Sequence, residues 1–197
     1  MRVNLSIFGI PKAGNQLYYH NFQSLLQNVD SFLVCHHTTG IAQLDSIQNS
    51  NLTTSEGLSD SSSQLSRLSQ SEFSGAWQVA NPEVGVWIQA YLTYIKVIVK
   101  VATQGYEGQG KFVTSYKMAT HHGGELEYIL NAVDSERIFA ANTNDSDIVE
   151  NCIASVQATT VRLYPQSWQG GLALRWDVYV DEDLGKKILL KTNSNKP

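Results

Sequence analysis

The segment from Gly105 to Lys111 has the glycine and lysine spacing of a phosphate-binding loop. Such a loop needs a hydroxyl after the lysine to bind magnesium and a following helix whose first amides hold the phosphates. Here Phe112 follows the lysine, and the next residues alternate in the pattern of a strand. The sequence therefore favours a glycine-rich hairpin loop over a nucleotide site.

Two pairs of adjacent histidines, His36-His37 and His121-His122, raise the question of a metal site. Adjacent residues of a strand face opposite sides, and a metal ion needs three or four converging ligands. Neither pair has a Cys, an Asp or a third His at a ligand spacing. We expect both pairs to lie in solvated loops.

The sequence carries no recognisable catalytic signature. The serines lie in low-complexity stretches without a glycine-flanked nucleophile turn. Cys152 lies in the run from Ile148 to Ile153, which predicts a strand and a buried, inert thiol. We predict that the chain is not an enzyme.

Composition limits the partners of the chain. With 197 residues, 42% apolar and 16% charged, it is typical of a soluble domain with one core. The net charge of -4 provides no general attraction to nucleic acid or anionic membranes. The apolar run from Leu5 to Ile10 is shorter than the apolar region of a signal peptide, so no clear export signal is predicted.

Alternating apolar and polar residues dominate after residue 85 and predict antiparallel strands. From Tyr94 to Ala102 the apolar residues at odd positions share one face, beginning with Ile95. From Leu172 to Val180 the apolar residues face one way and Arg175, Asp177 and Tyr179 face the other. One buried and one wetted face is the pattern of an antiparallel sandwich. Further strands are predicted over residues 86–92, 112–118, 125–130 and 157–164.

The chain before residue 85 is less regular. Apolar residues spaced by three, four and seven predict an amphipathic helix from Gln16 to Val29. The stretch from Gln48 to Ser74 is rich in small polar residues, which predicts a loop-rich surface. Three N-glycosylation sequons, at Asn4, Asn51 and Asn144, matter only if the chain is secreted.

Two blocks of sequence resemble the discoidin domain family, also called the factor V/VIII type C domain. The first is Ala102-Thr103-Gln104-Gly105 followed by Phe112-Val113-Thr114-Ser115-Tyr116-Lys117, similar to the family's strand, loop and strand signature. The second, from Thr160 to Asp177, resembles the closing strands around a Trp-containing loop. Weaker matches in the family's order are Cys35, Gly75-Ala76-Trp77, Trp87-Ile88-Gln89 and Asn142.

The resemblance implies an all-β fold, an antiparallel β-sandwich or distorted jelly-roll barrel of about eight strands, with a ligand site in the loops at one end. It divides the chain into an N-terminal extension that packs on the domain and includes the predicted helix (1–34), a discoidin-like domain (35–180) and a polar tail (181–197). An extracellular or cell-surface location is also implied. The family's disulfide joins its first and last residues. Here Cys35 matches the first and Asp181 occupies the last, so that bridge is missing, and a bridge from Cys35 to Cys152 is left open.

Members of this family bind galactose-like sugars, phosphatidylserine membranes, collagen or other proteins. A sugar site needs an aromatic face and a few fixed polar groups. For Trp168, plugging the end of the barrel is an equal alternative to ligand contact, whereas Arg162 and Arg175 are predicted to anchor strands. The predicted ligand-binding residues are Leu58, Asp60, Tyr106, Glu107, Lys111, Asn144 and Trp168.

The favoured function is non-catalytic recognition of a galactose-like glycan in adhesion. The alternative is a protein-binding receptor ectodomain module for collagen or a peptide. An anionic phospholipid site is disfavoured, because Asp45, Glu56 and Asp60 lie near the candidate apolar spikes Leu44 and Leu58. We expect no nucleic-acid partner and no cofactor, and leave open a structural calcium ion held by backbone carbonyls.

Overall fold

The computed structural model describes residues 41–42, 44–58, 63–68 and 75–186. The predicted helix from Gln16 to Val29, Cys35, the His36-His37 pair and Asp60 lie outside these residues. The strands of the described chain are β1 (Ile41–Ala42), β2 (Leu52–Thr54), β3 (Trp77–Gln78), β4 (Ile88–Gln104), β5 (Phe112–His121), β6 (Glu127–Tyr128), β7 (Ile138–Ala140), β8 (Val149–Gln169) and β9 (Ala173–Val180).

These strands form a curled sheet whose two halves face each other. The strand order is β1-β9-β4-β8-β5-β6, with β2 beside β4, β3 beside β9 and β7 beside β5. All of these pairings are antiparallel. The predicted all-β antiparallel sandwich is therefore confirmed.

The strands β4 and β8 are long because each takes part in both halves of the sandwich. β4 pairs with β2 near its start and with β9 from Ile98 onward, while β8 pairs with β5 from Thr160 onward. The register between β4 and β8 shifts between Tyr91 and Lys96, which lets β4 bend from one half to the other. The separate strands predicted over 86–92 and 94–102 are thus one strand, and so are those over 148–153 and 157–164.

The core lies between the two halves. From β9 it receives Leu174, Trp176 and Val178, as the alternation predicts, and all three are fully buried. Two details of the pattern were wrong. Ile95 is 46% exposed because it lies in the bulged part of β4, and Asp177 is buried because its carboxylate accepts a hydrogen bond from the Leu44 amide at 3.1 Å.

The segment from residue 44 to residue 68 is more than a surface loop. It contains three short 3-10 turns, and Leu52 and Arg67 are buried. The Nη2 of Arg67 donates to the carbonyl of Ile47 at 3.1 Å, and the indole of Trp176 donates to the Ser66 hydroxyl at 3.2 Å. Polar contacts therefore dock this segment on the sandwich, which its composition did not indicate.

Cys152 is disulfide-bonded and only partly buried. This corrects the prediction of a buried, inert thiol. The predicted strand is present, since β8 contains Cys152, but strand periodicity carries no information about a thiol's partner. The one other cysteine of the sequence, Cys35, lies outside the described residues.

After β9 the described chain ends with a helical turn over residues 182–186. The remainder of the predicted polar tail lies outside the described residues. Among the described residues, no helix has the length and apolar character needed to span a membrane.

Candidate functional site

The segment from Gly105 to Lys111 connects β4 to β5 and forms a small hairpin of its own, closed by an antiparallel bridge between Tyr106 and Lys111. The backbone amide of Tyr106 donates to the carbonyl of Lys111 at 2.9 Å. Gly108 (φ 76°) and Gly110 (φ 62°) adopt left-handed backbone conformations, which glycine enters without steric cost. The predicted glycine-rich turn is therefore confirmed, and the chain continues into a strand instead of a phosphate-binding helix. The strands β4 and β5 do not pair with each other, because β8 lies between them in the sheet.

Asn144 shapes the loop between β7 and β8. Its Oδ1 accepts hydrogen bonds from the backbone amides of Ser146 at 3.0 Å and Asp147 at 2.7 Å. Its Nδ2 donates to the Asp147 carboxylate at 2.6 Å. Both polar atoms of the Asn144 side chain are thus engaged in an Asx turn that fixes the loop backbone.

Three loops meet at this end of the sandwich. The Asp145 carboxylate accepts a hydrogen bond from the Gly110 amide at 2.8 Å, and Nε2 of Gln104 donates to the Ser146 carbonyl at 2.6 Å. The turn after β8 reaches the same place, because a Cβ on Gly170 would overlap the carbonyl oxygen of Gly110. Neighbouring loops therefore hold the hairpin from two sides.

The guanidinium of Arg175 supports this end from within the sheet. Its Nη1 donates to Oε1 of Gln104 at 2.9 Å, while Nη2 and Nε donate to the carbonyls of Leu68 and Arg67 at 2.8 and 3.2 Å. Burial lowers the pKa of Arg175, and the nearby Glu107 carboxylate acts in the opposite direction. The predicted anchoring role is confirmed, although the acceptors named here are neutral oxygens.

Gln78 brings Lys111 and Leu58 together. The ammonium group of Lys111 donates to Oε1 of Gln78 at 3.3 Å, and the Leu58 amide donates to the Gln78 carbonyl at 3.0 Å. The Lys111 side chain also passes Gly171, where a Cβ would lie 3.4 Å from its Cδ. Leu58 is 57% exposed, so Gln78 connects an exposed apolar residue with the Lys111 side chain.

Trp168 lies on β8 at the same end of the sandwich, opposite Val113. It is partly buried and packs against the hydrophobic core. These contacts are the ones expected if the ring closes the end of the barrel.

The structure thus brings Tyr106, Glu107 and Lys111 together on one hairpin, with Leu58 near Lys111 and Asn144 in the adjoining loop. Glu107 is exposed and Tyr106 is partly exposed. Asp60 lies outside the described residues, so its predicted place among them stays a prediction.

Two residues of this end were missed by sequence reasoning. Asp145 could have been found from its place beside Asn144 in a polar turn. Gln78 gave no signal, because its contacts with Leu58 and Lys111 depend on loops that are distant in sequence.

A second cluster, on the outer face of the sandwich, is structural. Nε of Arg162 donates to Oε1 of the buried Gln89 at 2.7 Å, and its guanidinium lies 4.0 Å from the centre of the Trp87 ring. Its Nη1 donates to the Tyr164 hydroxyl at 3.2 Å. These contacts across neighbouring strands confirm the predicted anchoring role of Arg162.

The second histidine pair lies at the end of β5. The expectation of a solvated loop is wrong for His121, which is the last residue of that strand and partly buried, with Nδ1 3.4 Å from the Thr159 hydroxyl. It holds for His122, which is exposed in the following turn. Within the part of the chain that the structure describes, no three His, Cys, Asp or Glu side chains are grouped as metal ligands.

Known proteins resemble this chain in sequence. Neuropilin-1 from Xenopus laevis is 28% identical over 167 residues, which cover 82% of this chain and 18% of that protein. Neuropilin-1 from Homo sapiens is 27% identical over 165 residues, with coverage of 81% and 18%. The chain therefore spans a small part of the length of these curated relatives.

Among solved structures, discoidin II from Dictyostelium discoideum is similar in fold, with a TM-score of 0.61 at 22% identity. The alignment covers 73% of this chain and 58% of that one. The family model described as the F5/8 type C domain matches residues 47–178, which contain every strand from β2 to β8 and the loops described above. The chain therefore belongs to the F5/8 type C, or discoidin, domain family.

Proposed function

We propose that this domain is a non-catalytic binding module that recognises a carbohydrate of the galactose-like class through the loops around Tyr106. One observation carries the proposal. A partly exposed aromatic ring, an exposed carboxylate and an ammonium group occupy a single hairpin that two neighbouring loops hold in place. A sugar site needs an aromatic face for the apolar side of the sugar ring and fixed polar groups for its hydroxyls.

Each residue has a role in this proposal. The Tyr106 ring provides the stacking face, Glu107 accepts hydrogen bonds from hydroxyls, and Lys111 donates to a ring or hydroxyl oxygen. Asn144 and Trp168 hold the surrounding backbone and core, while Leu58 completes the rim. Because hydrogen bonds already fix the loops, little conformational entropy would be lost on binding.

A glycan array on the purified domain tests the proposal. We expect the wild type to retain galactose-terminated glycans and Tyr106→Ala to lose them. Tyr94→Ala is the matched control, because Tyr94 is 73% exposed but lies in the bulged part of β4, far along the strand from Gln104. Binding that is absent in the wild type, or equal in the wild type and Tyr106→Ala, would contradict the proposal.

A protein ligand is the second candidate function. It is favoured by the exposure of Leu58, which bonds to Gln78 as Lys111 does, and by the similarity to neuropilin-1 over most of the chain. An exposed apolar side chain next to polar groups matches the arrangement of a protein interface, which has an apolar centre and a polar rim. Binding to immobilised collagen or arrayed peptides that is lost in Leu58→Ser, but retained in Tyr106→Ala, would favour this candidate.

An anionic membrane is the least favoured ligand. Glu56, Glu107 and Asp145 lie at or near the same end as Lys111, and their charge opposes acidic lipid. We therefore expect no difference in sedimentation between phosphatidylserine and neutral vesicles.

We further propose an extracellular or cell-surface location. The disulfide of Cys152 supports this location, because such bonds persist mainly in oxidising compartments. Expression in secreting cells, with the thiols trapped at harvest, tests it. A reduced Cys152 in the secreted protein would contradict the disulfide on which this argument rests.

We propose that binding requires no cofactor. Two backbone carbonyls of the β7–β8 loop, a group that calcium ions use as ligands, already accept hydrogen bonds, that of Ser146 from Gln104 and that of Asp147 from Nδ2 of Asn142 at 2.7 Å. We expect a chelator to leave both glycan binding and the unfolding midpoint unchanged. A fall in the midpoint that added calcium reverses would reveal a structural ion.

A further inference from the structure

We propose that Asn51 carries an N-linked glycan when the chain passes through a secretory pathway, and that Asn144 does not. The biological relevance of this inference rests on the extracellular location proposed above. It does not depend on what the loops around Tyr106 bind.

Asn51 lies where an oligosaccharide can be attached and tolerated. It is the acceptor of the sequon Asn51-Leu52-Thr53 and ends the short turn Asn49–Asn51, with its backbone amide bonded to the Gln48 carbonyl at 2.9 Å. Its side chain is partly exposed and makes no hydrogen bond with any described residue. A glycan on Nδ2 therefore displaces no contact that the described structure contains.

Asn144 offers the opposite environment. Its Nδ2 donates to the Asp147 carboxylate at 2.6 Å, and its Oδ1 accepts from two backbone amides of the same turn. The next residue, Asp145, is bonded to the Gly110 hairpin. A glycan on Asn144 would have to fit between the two loops, and would disturb the contacts that hold them together.

An exposed aromatic residue lies on β4 next to the start of β2, which follows Asn51. Leu52 of β2 is paired with Ala90 of β4, and both are buried. Tyr91 follows Ala90 in β4 and therefore projects away from the core, because successive side chains alternate between the faces of a sheet. Asn51 precedes Leu52 and belongs to the turn before β2. Tyr91 is 47% exposed, so the first sugar on Asn51 would have an aromatic surface to cover.

A glycan at this position leaves the proposed ligand site open. β2 runs from Leu52 toward Ser55, whose hydroxyl accepts a hydrogen bond from the Trp87 amide at 2.8 Å. The next described residues lead to Leu58 and to Gln78. Asn51 thus lies at the end of β2 that is remote from the binding loops.

The modification is a group transfer from a lipid diphosphate-linked oligosaccharide. Nδ2 of Asn51 attacks the anomeric carbon of the first sugar, forming a carbon–nitrogen bond as the bond to the diphosphate oxygen breaks. The lipid diphosphate leaves with the electron pair, and one amide proton passes to base or water. No oxidant or reductant takes part.

The test is to secrete the chain from eukaryotic cells behind an added leader and to release glycans enzymatically in oxygen-18 water. This release converts each glycosylated asparagine to labelled aspartate, which peptide mapping assigns to a residue. We expect the label at Asn51 in the wild type, in Asn144→Gln and in Thr53→Ser. We expect no label there in Thr53→Ala, which keeps the asparagine but removes the hydroxyl of the sequon.

Two results would overturn the inference, namely a secreted, disulfide-bonded wild type without label at Asn51, or label at Asn144. Binding to glycan arrays gives an independent readout. Enzymatically deglycosylated protein and Asn51→Gln should both bind as the glycosylated wild type does. Failure of the carbohydrate proposal would remove array binding in every variant, but would leave the label at Asn51 unchanged.

Discussion

The carboxylate of Asp145 accepts a hydrogen bond from the backbone amide of Gly110 at 2.8 Å, and so joins two loops that are 35 residues apart in sequence. Gly110 belongs to the hairpin that carries Tyr106, Glu107 and Lys111. The hydrogen bond therefore couples the shape of the proposed ligand site to the loop between β7 and β8.

The first prediction concerns this hydrogen bond. Asp145→Ala removes the acceptor and should weaken glycan binding by about 1 kcal/mol, the typical net value of one hydrogen bond. Asp145→Asn keeps an acceptor oxygen and should lose less affinity. Isothermal titration of both variants checks the order, and equal losses would mean that the charge of Asp145, not its bond to Gly110, matters.

The second prediction compares two glycines that both have a positive φ angle. A Cβ added to Gly108 (φ 76°) would meet no atom within 4 Å, whereas a Cβ added to Gly170 (φ 67°) would overlap the Gly110 carbonyl oxygen. Gly108→Ala should cost about 1 to 2 kcal/mol from strain alone. Gly170→Ala should cost about 1 to 3 kcal/mol more and weaken binding, as measured by urea denaturation and titration. Equal losses of stability in the two variants would contradict the close approach of the turn at Gly170 to the hairpin at Gly110.

The third prediction concerns the disulfide of Cys152. Cys152→Ser should lower the free energy of unfolding by about 2 to 5 kcal/mol, since the cross-link restricts the unfolded chain. Denaturation with and without a reductant provides the control. The reductant should destabilise the wild type and have no effect on Cys152→Ser.

The fourth prediction is a pH dependence caused by Tyr116. Its ring is fully buried and stacks on Phe139 with centroids 5.1 Å apart. Burial raises the pKa of Tyr116, against smaller opposing effects of Asn151 and Arg137. In the unfolded chain the phenol ionises with a pKa of about 10, so above that pH the unfolded state releases a proton that the folded state keeps.

The stability that Tyr116 contributes is therefore complete below about pH 10 and falls as the pH rises further, by up to about 1.4 kcal/mol per pH unit. Tyr116→Phe keeps the ring and its stacking but removes this dependence. Urea denaturation of both proteins from neutral to strongly alkaline pH checks it. Parallel loss of stability in the wild type and the variant would contradict the assignment to Tyr116.

Much of the fold follows from local patterns. Leu174, Trp176 and Val178 alternate with polar neighbours, and period-two alternation has one stable solution, a strand with one face on the core. The error at Ile95 has a physical cause. A bulge depends on how β4 is paired with β8, and the sequence of β4 alone does not contain that register.

The candidate site was less accessible to sequence reasoning than the fold. The hairpin that carries Tyr106 and Lys111 could be predicted because its glycines require a turn. The contacts made by Gln78 and Asp145 could not, since each joins segments that meet only in the folded chain. The disulfide of Cys152 was missed for the same reason.

The pairing of β1 with β9 has a consequence for synthesis on the ribosome. Leu44 and Asp177, bonded next to this pairing, are separated by 133 positions in the chain, and topologies rich in such distant contacts take about milliseconds to seconds to form. While the polypeptide is being made, β1 and β3 have no partner among the described strands until β9 has left the exit tunnel. The domain can close only after translation of its final strand, and until then its apolar faces are available to chaperones.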